Sequence, residues 1–292
     1  MNKHAYMIIA HNQFDILEII IKMLDDARND IYLHIDSKVK NFDFDRFANI
    51  PRYSKLVFTD RISVTCGDFS QINCEMILLN TAVSNEDKNN RYSYYHLISG
   101  VDLPIKSNDD IYSFFENNSG KEFINFSNEP AEKFLGRIKY YHFFRKKRNK
   151  FNILLAGIVL RIQKLIGVNR IKNTSLIFGK GSNWFSITGD FAKYVVENFD
   201  TYKKYFLYSY CCDEMFLHTM FLNSPFKNSL YLVDDDDNQL AAARLIDWKR
   251  GRPYVFRLND FDEIINSPAM FARKFSSDEI EIVHKIKDYI ER

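Results

Sequence analysis

At 292 residues the chain is long enough for one large α/β domain or two small ones, and its 46% hydrophobic content can supply a full core. Charged residues make up 27% and nearly cancel to a net +2, so composition alone gives no sign of a nucleic-acid-binding surface. The four cysteines (Cys66, Cys74, Cys211, Cys212) form no CxxC pair and have no histidine at zinc-finger spacing, which favours buried reduced thiols over a disulfide frame or a zinc site.

In chain order, AYMIIAH is a short apolar run closed by polar residues and reads as a buried strand. FDILEIIIKMLDD then has apolar residues at helical spacing. DIYLHID and KLVFTD are the next strands, FSQINCEMILLNTAV is a helix, and YSYYHLISGVDLPI is a strand running into a turn. This alternation predicts a parallel sheet with helices on both faces, and ligands of such sheets bind beyond the carboxyl ends of the strands. The polar residues at those ends are Asn12, Asp36, Asp60 and Asp102. No GxGxxG, Walker A or internal repeat is present, which argues against a dinucleotide or P-loop enzyme.

The character changes after residue 120. RIKYYHFFRKKRNK is dense in aromatic and basic residues, and FNILLAGIVLRIQKLIGV is apolar at helical spacing. GSNWFSITGDFAKYVVENF reads as strand, turn and helix, YCCDEMFLHTMF as helix, and RLIDWKRGRPYVF as strand, turn, strand. DEIEIVHKIKDYIER is a closing helix. The chain thus changes character between residues 1–120, where strands and helices alternate, and residues 121–292.

Several segments together resemble one family. AYMIIAHN and IYLHIDSK resemble its first two strands; HLISGVDLPIKS, GSNWFSIT, CDEMFLHTM, RLIDWKRG and MFARKF resemble later motifs in the same order, from about Ala5 to Phe275. The family is that of the core-2/I-branching N-acetylglucosaminyltransferases, glycosyltransferase family 14, which is also similar to peptide O-xylosyltransferases. The resemblance implies a single GT-A domain over 1–292, with a Rossmann-like mixed or parallel central sheet flanked by helices, its half 1–120 binding the nucleotide and its half 121–292 supplying acceptor and catalytic groups. It implies an inverting transfer of a sugar, N-acetylglucosamine first and xylose as an alternative, from a UDP-sugar to a glycan hydroxyl in β linkage. It implies no metal and no cofactor beyond the donor substrate. Two other readings stay open: a catalytically silent sugar- or nucleotide-binding protein, and a metal-dependent transferase.

The resemblance assigns roles residue by residue. An inverting transfer needs a carboxylate to take the acceptor proton, and Glu214 of CDEMFLHTM matches it; its alternative role is an acid favoured at a helix N-terminus. Without a metal, the departing diphosphate needs fixed cations, and Arg252, Arg273 and Lys274 match them. Asp36 stands where a uracil or ribose would be read, with helix or turn capping as the competing role. Arg61 lies in the next segment, DRISVTCGDFS, which departs from the family pattern at Cys66 and Asp68. Asp102 is the single carboxylate near the metal-motif position and is grouped with Asp36 and Arg61 as a nucleotide contact. Trp248, Trp184 and Ser182 are candidates for donor or acceptor sugar contacts, against core burial for the indoles. His218, one turn beyond Glu214, either orients it or packs; His11, His34 and His96 have no metal-site spacing.

The run Asp234–Asp237 contains DxD, but it follows the expected base and reads as a solvated charge run. The first strand starts almost at Met1, with no signal peptide or span ahead of it, which points to a bacterial-type cytoplasmic enzyme. The basic run Arg145–Lys150 and the apolar stretch after it point to peripheral contact with the inner membrane face, where a lipid-linked acceptor would lie; packing on the core is the alternative.

Overall fold

The computed structural model describes residues 2–87, 90–144, 149–232 and 240–291. Strands β1 (Lys3–Ala10), β2 (Asn29–Ile35), β3 (Lys55–Phe58) and β4 (Tyr92–Ser99) alternate with helices α1 (Phe14–Met23), α2 (Phe44–Ala48) and α3 (Ser70–Ser84). β1 and β2 are buried almost throughout because β1 lies between parallel neighbours and both faces of the pair are covered. α1 turns Ile16, Leu17, Ile20, Ile21 and Met23 onto the sheet, as its periodicity predicts.

The chain continues with β5 (Asp102–Pro104), α4 (Asn108–Asn117), β6 (Phe123–Phe126), α5 (Ala131–Phe134), α6 (Gly136–Lys139) and α7 (Lys150–Leu165). β7 (Gly181–Thr188), α8 (Gly189–Phe206), α9 (Phe216–Leu222), β8 (Arg244–Ile246), α10 (Phe261–Asn266), β9 (Phe271–Arg273) and α11 (Ile280–Ile290) follow. The main sheet has the order β3-β2-β1-β4-β7-β6, parallel through β4, with β7 antiparallel to both its neighbours. The expected mixed α/β sheet flanked by helices is therefore present. One apolar core joins α1 and α11 to one face of the sheet, and a second joins α3, α8 and α9 to the other.

Four local readings change. YSYYHLISGVDLPI is two strands: the chain turns at Gly100–Val101, and β5 enters a second sheet, β5-β9-β8. RLIDWKRGRPYVF holds one strand, β8, because its partner is β9 rather than the segment that follows. Thr188 ends β7 and caps α8 directly, its hydroxyl accepting from Phe191 N at 3.2 Å, so no turn intervenes. In YCCDEMFLHTMF only Phe216 onward is helical; Asp213–Met215 are turns. Both halves of the chain share the main sheet, since β7 pairs directly with β4.

Candidate active site

A cavity of about 320 Å³ opens at the carboxyl ends of β1, β2 and β4, walled by β7, β9 and the segment from Val64 to Glu75. A smaller one of about 90 Å³ adjoins it, sharing Ile9, His11, Ser99 and Arg273 and adding Lys274. Parallel strands end here because β1, β2 and β4 run in one direction, which is where α/β sheets carry their ligands.

Arg273 dominates the cavity. The antiparallel register of β5 and β9 sets Asp102 opposite Arg273. Arg273 Nη1 donates to Asp102 Oδ1 at 2.6 Å and to Ser99 Oγ at 2.5 Å, and its guanidinium lies 4.5 Å from the Trp184 ring centroid. Asp102 is itself fixed by Ser99, accepting from its backbone N–H and its hydroxyl at 2.7 Å each. Asp102 is 2% exposed, so it holds the cation from behind rather than facing the cavity. The planar fork, stacked on an indole and tied on one side, leaves its remaining donors toward the opening. Lys274 follows on the same strand end.

Asp36 lines the cavity wall as expected. Its carboxylate accepts from Lys38 N at 2.8 Å and Val64 N at 3.3 Å and pairs with Lys38 Nζ at 3.3 Å. The capping role is thus present, and the residue also borders the opening. Arg61 does not reach the cavity. Its guanidinium donates to Ile35 O, Asp36 O and Val39 O, so it braces the backbone that carries Asp36. His11 lines both cavities, and burial holds it below the usual histidine range.

A carboxyl pair underlies the third wall. Glu75, on α3, lines the cavity yet is 3% exposed, and its Oε2 has no hydrogen-bond partner among the described residues. Burial first, and then the charge of Asp213, pushes it well above the usual carboxylate range. Asp213 is pushed up to about 6 by burial and by Glu214. Gln71, also on the cavity wall, donates to Asp213 Oδ2 at 2.9 Å and so ties α3 to the turn that carries Glu214. Glu214 is one residue further on and is not part of the lining; its carboxylate pairs with Arg137 Nη1 at 2.6 Å. Arg137 also donates to Cys211 O at 3.1 Å. Glu214 is partly exposed and held by Arg137.

The remaining candidates are not gathered here. Arg252 and Trp248 are exposed on the turn after β8, outside the lining. Ser182 turns its hydroxyl back to Trp184 N at 3.3 Å, and its neighbour Asn183 lines the cavity instead. His218 does not orient Glu214: it is fully buried on α9 and bonds Asn125 O through Nε2 at 2.8 Å. His34 accepts from Ile62 N, and His96 packs between Ser186 and His4. Cys74 and Cys212 are buried thiols as expected, but Cys66 is exposed at the cavity edge. Among the described residues no three His, Cys, Asp or Glu side chains gather into a metal-holding group, and Asp234–Asp237 lie outside the described residues.

Sequence reading missed Glu75, Gln71, Lys38 and Arg137. Glu75 carried the one available signal, a carboxylate between Cys74 and Met76 on the buried side of an apolar helix.

The site is a carboxyl-end cavity of an α/β sheet with a fixed cation, Arg273, and a framed carboxylate, Asp36. Residues 4–264 match the family described as Core-2/I-Branching enzyme, and the chain belongs to that family of glycosyltransferases. Xylosyltransferase 2 of Canis lupus familiaris is 23% identical over 305 residues, covering 98% of this chain and 33% of that protein. Xylosyltransferase 1 of Homo sapiens is 21% identical over 295 residues, covering 94% and 29%. The chain spans about a third of the length of these curated relatives. The crystal structure of mouse xyloside xylosyltransferase 1, apo form, covers 96% of this chain and 99% of its own, at 10% identity and a TM-score of 0.40.

Proposed function

We propose that this chain transfers a sugar from a UDP-sugar to a glycan hydroxyl with inversion, using side chains rather than a metal at the diphosphate. The observation that carries the reading is Arg273, tied to Asp102 and stacked on Trp184 beside Lys274 and Asp36. In this reading the uridine lies against Asp36 and Lys38, and the diphosphate rests on Arg273 and Lys274. The sugar points toward the wall formed by Glu75, Gln71 and Asn183. Arg252 lies outside the cavity, so the diphosphate site is built without it.

Glu214 then takes the proton of the acceptor hydroxyl as its oxygen attacks the anomeric carbon. The bond to the UDP oxygen breaks, and the charge that develops there falls on Arg273 and Lys274. Arg137 fixes the direction of the base. Either N-acetylglucosamine or xylose suits this chemistry; the likeness to xylosyltransferases favours xylose as the first donor to test.

The experiment is a transfer and hydrolysis assay with UDP-xylose and UDP-N-acetylglucosamine, with and without EDTA, on wild type and Glu214→Gln. Expected is turnover that survives EDTA and falls roughly 10²–10⁴-fold in the variant, with UDP binding retained. Turnover lost in EDTA and restored by manganese would overturn the metal-free reading. A fully active Glu214→Gln would remove Glu214 as the base.

A further inference from the structure

α7 fully buries a polar residue, Gln163, whose amide donates to Tyr141 O and accepts from Tyr141 N. Leu155, Val159 and Leu160 are half-buried on the same side, while Phe151, Leu154, Ile158, Ile162 and Leu165 are exposed, Leu165 by 86% and Phe151 by 66%. At 100° per residue these five fall within one narrow stripe, and Lys150, Arg161 and Lys164 line its edge. Exposed Phe143, Phe144 and Tyr208 continue the surface toward a groove that reaches Asp68, Phe69 and Ser70, just before the cavity wall.

The sequence segment that carries this stripe is one-sided in charge, although Arg137 and Lys180 within it pair with Glu214 and Glu129. From Lys133 to Gly189 the sequence holds 13 Lys and Arg and no Asp or Glu, a charge of +13. The whole chain is +2, so the other 235 residues carry −11. Nine of those 13 cations are among the described residues. Among the described residues no helix is long and apolar enough to cross a membrane.

We propose that α7 is a docking surface for an anionic lipid bilayer, lying in the headgroup plane with its exposed stripe in the acyl boundary. An apolar stripe edged by cations, with aromatic rings beside it, matches such a boundary in both polarity and charge. A second copy of the chain matches it less well, because it offers the same cationic edge with no acidic residue on α7 to oppose it. This surface stands independently of the catalytic reading. If that reading also holds, the groove leads from the bilayer toward the acceptor side of the cavity.

The test is flotation of the full chain with vesicles of phosphatidylcholine alone and of equal phosphatidylcholine and phosphatidylglycerol, at low and high salt. Two variants are compared, Leu154→Ser/Ile158→Ser/Leu165→Ser and Arg161→Gln/Lys164→Gln, with folding checked by circular dichroism. Expected is binding to the anionic vesicles that salt releases. The charge variant should partition roughly 30-fold more weakly, from about fivefold per cation, and the serine variant should stay unbound. Folded wild type absent from both vesicles, or variants that float like wild type, would overturn the proposal. A wild type that ignores vesicles but forms a dimer dispersed by the serine variant would overturn it in favour of self-association.

Discussion

Gly181 has no room for a methyl group. A Cβ there would lie 1.7 Å from Asn125 O and 2.4 Å from His218 Nε2, the two ends of one buried hydrogen bond. Gly181 N also donates to Glu214 O at 2.9 Å, so the same bare backbone lets β7 close on β6 and anchors the turn of the proposed base. Gly181→Ala is expected to lose about 3 kcal/mol of stability, the upper end of overpacking, read by urea unfolding. A loss under about 0.5 kcal/mol would mean that the close approach is not real. His218 gives a pH signature. Burial, aided by Lys180, lowers it from 6.5 to about 4 in the folded chain. Its folded value lies below the unfolded one, so its contribution is full above pH 6.5 and is lost as pH falls toward 4. Relative to His218→Gln, wild type should lose about 3 kcal/mol of unfolding free energy between pH 7 and pH 4. A flat difference across that range would show His218 to be charged or solvated in the fold. At this scale the motif GSNW was legible in sequence, but its weight falls on the glycine and on Asn183 rather than on Ser182, because side-chain direction depends on the β6–β7 register.

The strands and helices of the first half were readable because buried parallel strands and amphipathic helices write their periods into the sequence, as in Met7–Ala10 and Ile16–Met23. β5, β9 and the partner of β8 were not, since three residues carry no period and their pairing joins segments far apart. The link between the two sheets was equally hidden. Arg244, 2% exposed, opens β8, donates to Leu97 O, Phe185 O, Ala242 O and Ser186 Oγ, and stacks on Phe271. A buried cation held by neutral acceptors is costly to charge, and burial lowers Arg244 to about 9. Arg244→Ala strands those carbonyls and is expected to cost about 3–5 kcal/mol. Because β8 pairs with β9 at Ile246 and Arg273, it should also weaken UDP binding. Thermal unfolding and a UDP titration read both effects; wild-type stability would show that the second sheet needs no such tie.

Across the whole molecule, the site joins the two halves that composition separates: Asp36 and Asp102 from the first, Trp184 and Arg273 from the second. The order of motifs announced these residues, but not that Asp102 and Arg273, 171 positions apart, face each other across β5 and β9. Nor did it announce that Arg252 and Trp248 stand off the cavity, since their turn follows a strand whose partner was misread. The central claim is that Arg273 is the fixed cation of a nucleotide-diphosphate site. Calorimetric titration of UDP into wild type and Arg273→Met, in EDTA, tests it most directly. A charged hydrogen-bond donor of this kind contributes about 1.5–3 kcal/mol. The account predicts UDP binding about 10- to 150-fold weaker in the variant, with uridine binding unchanged; equal UDP affinity in the two proteins would contradict it.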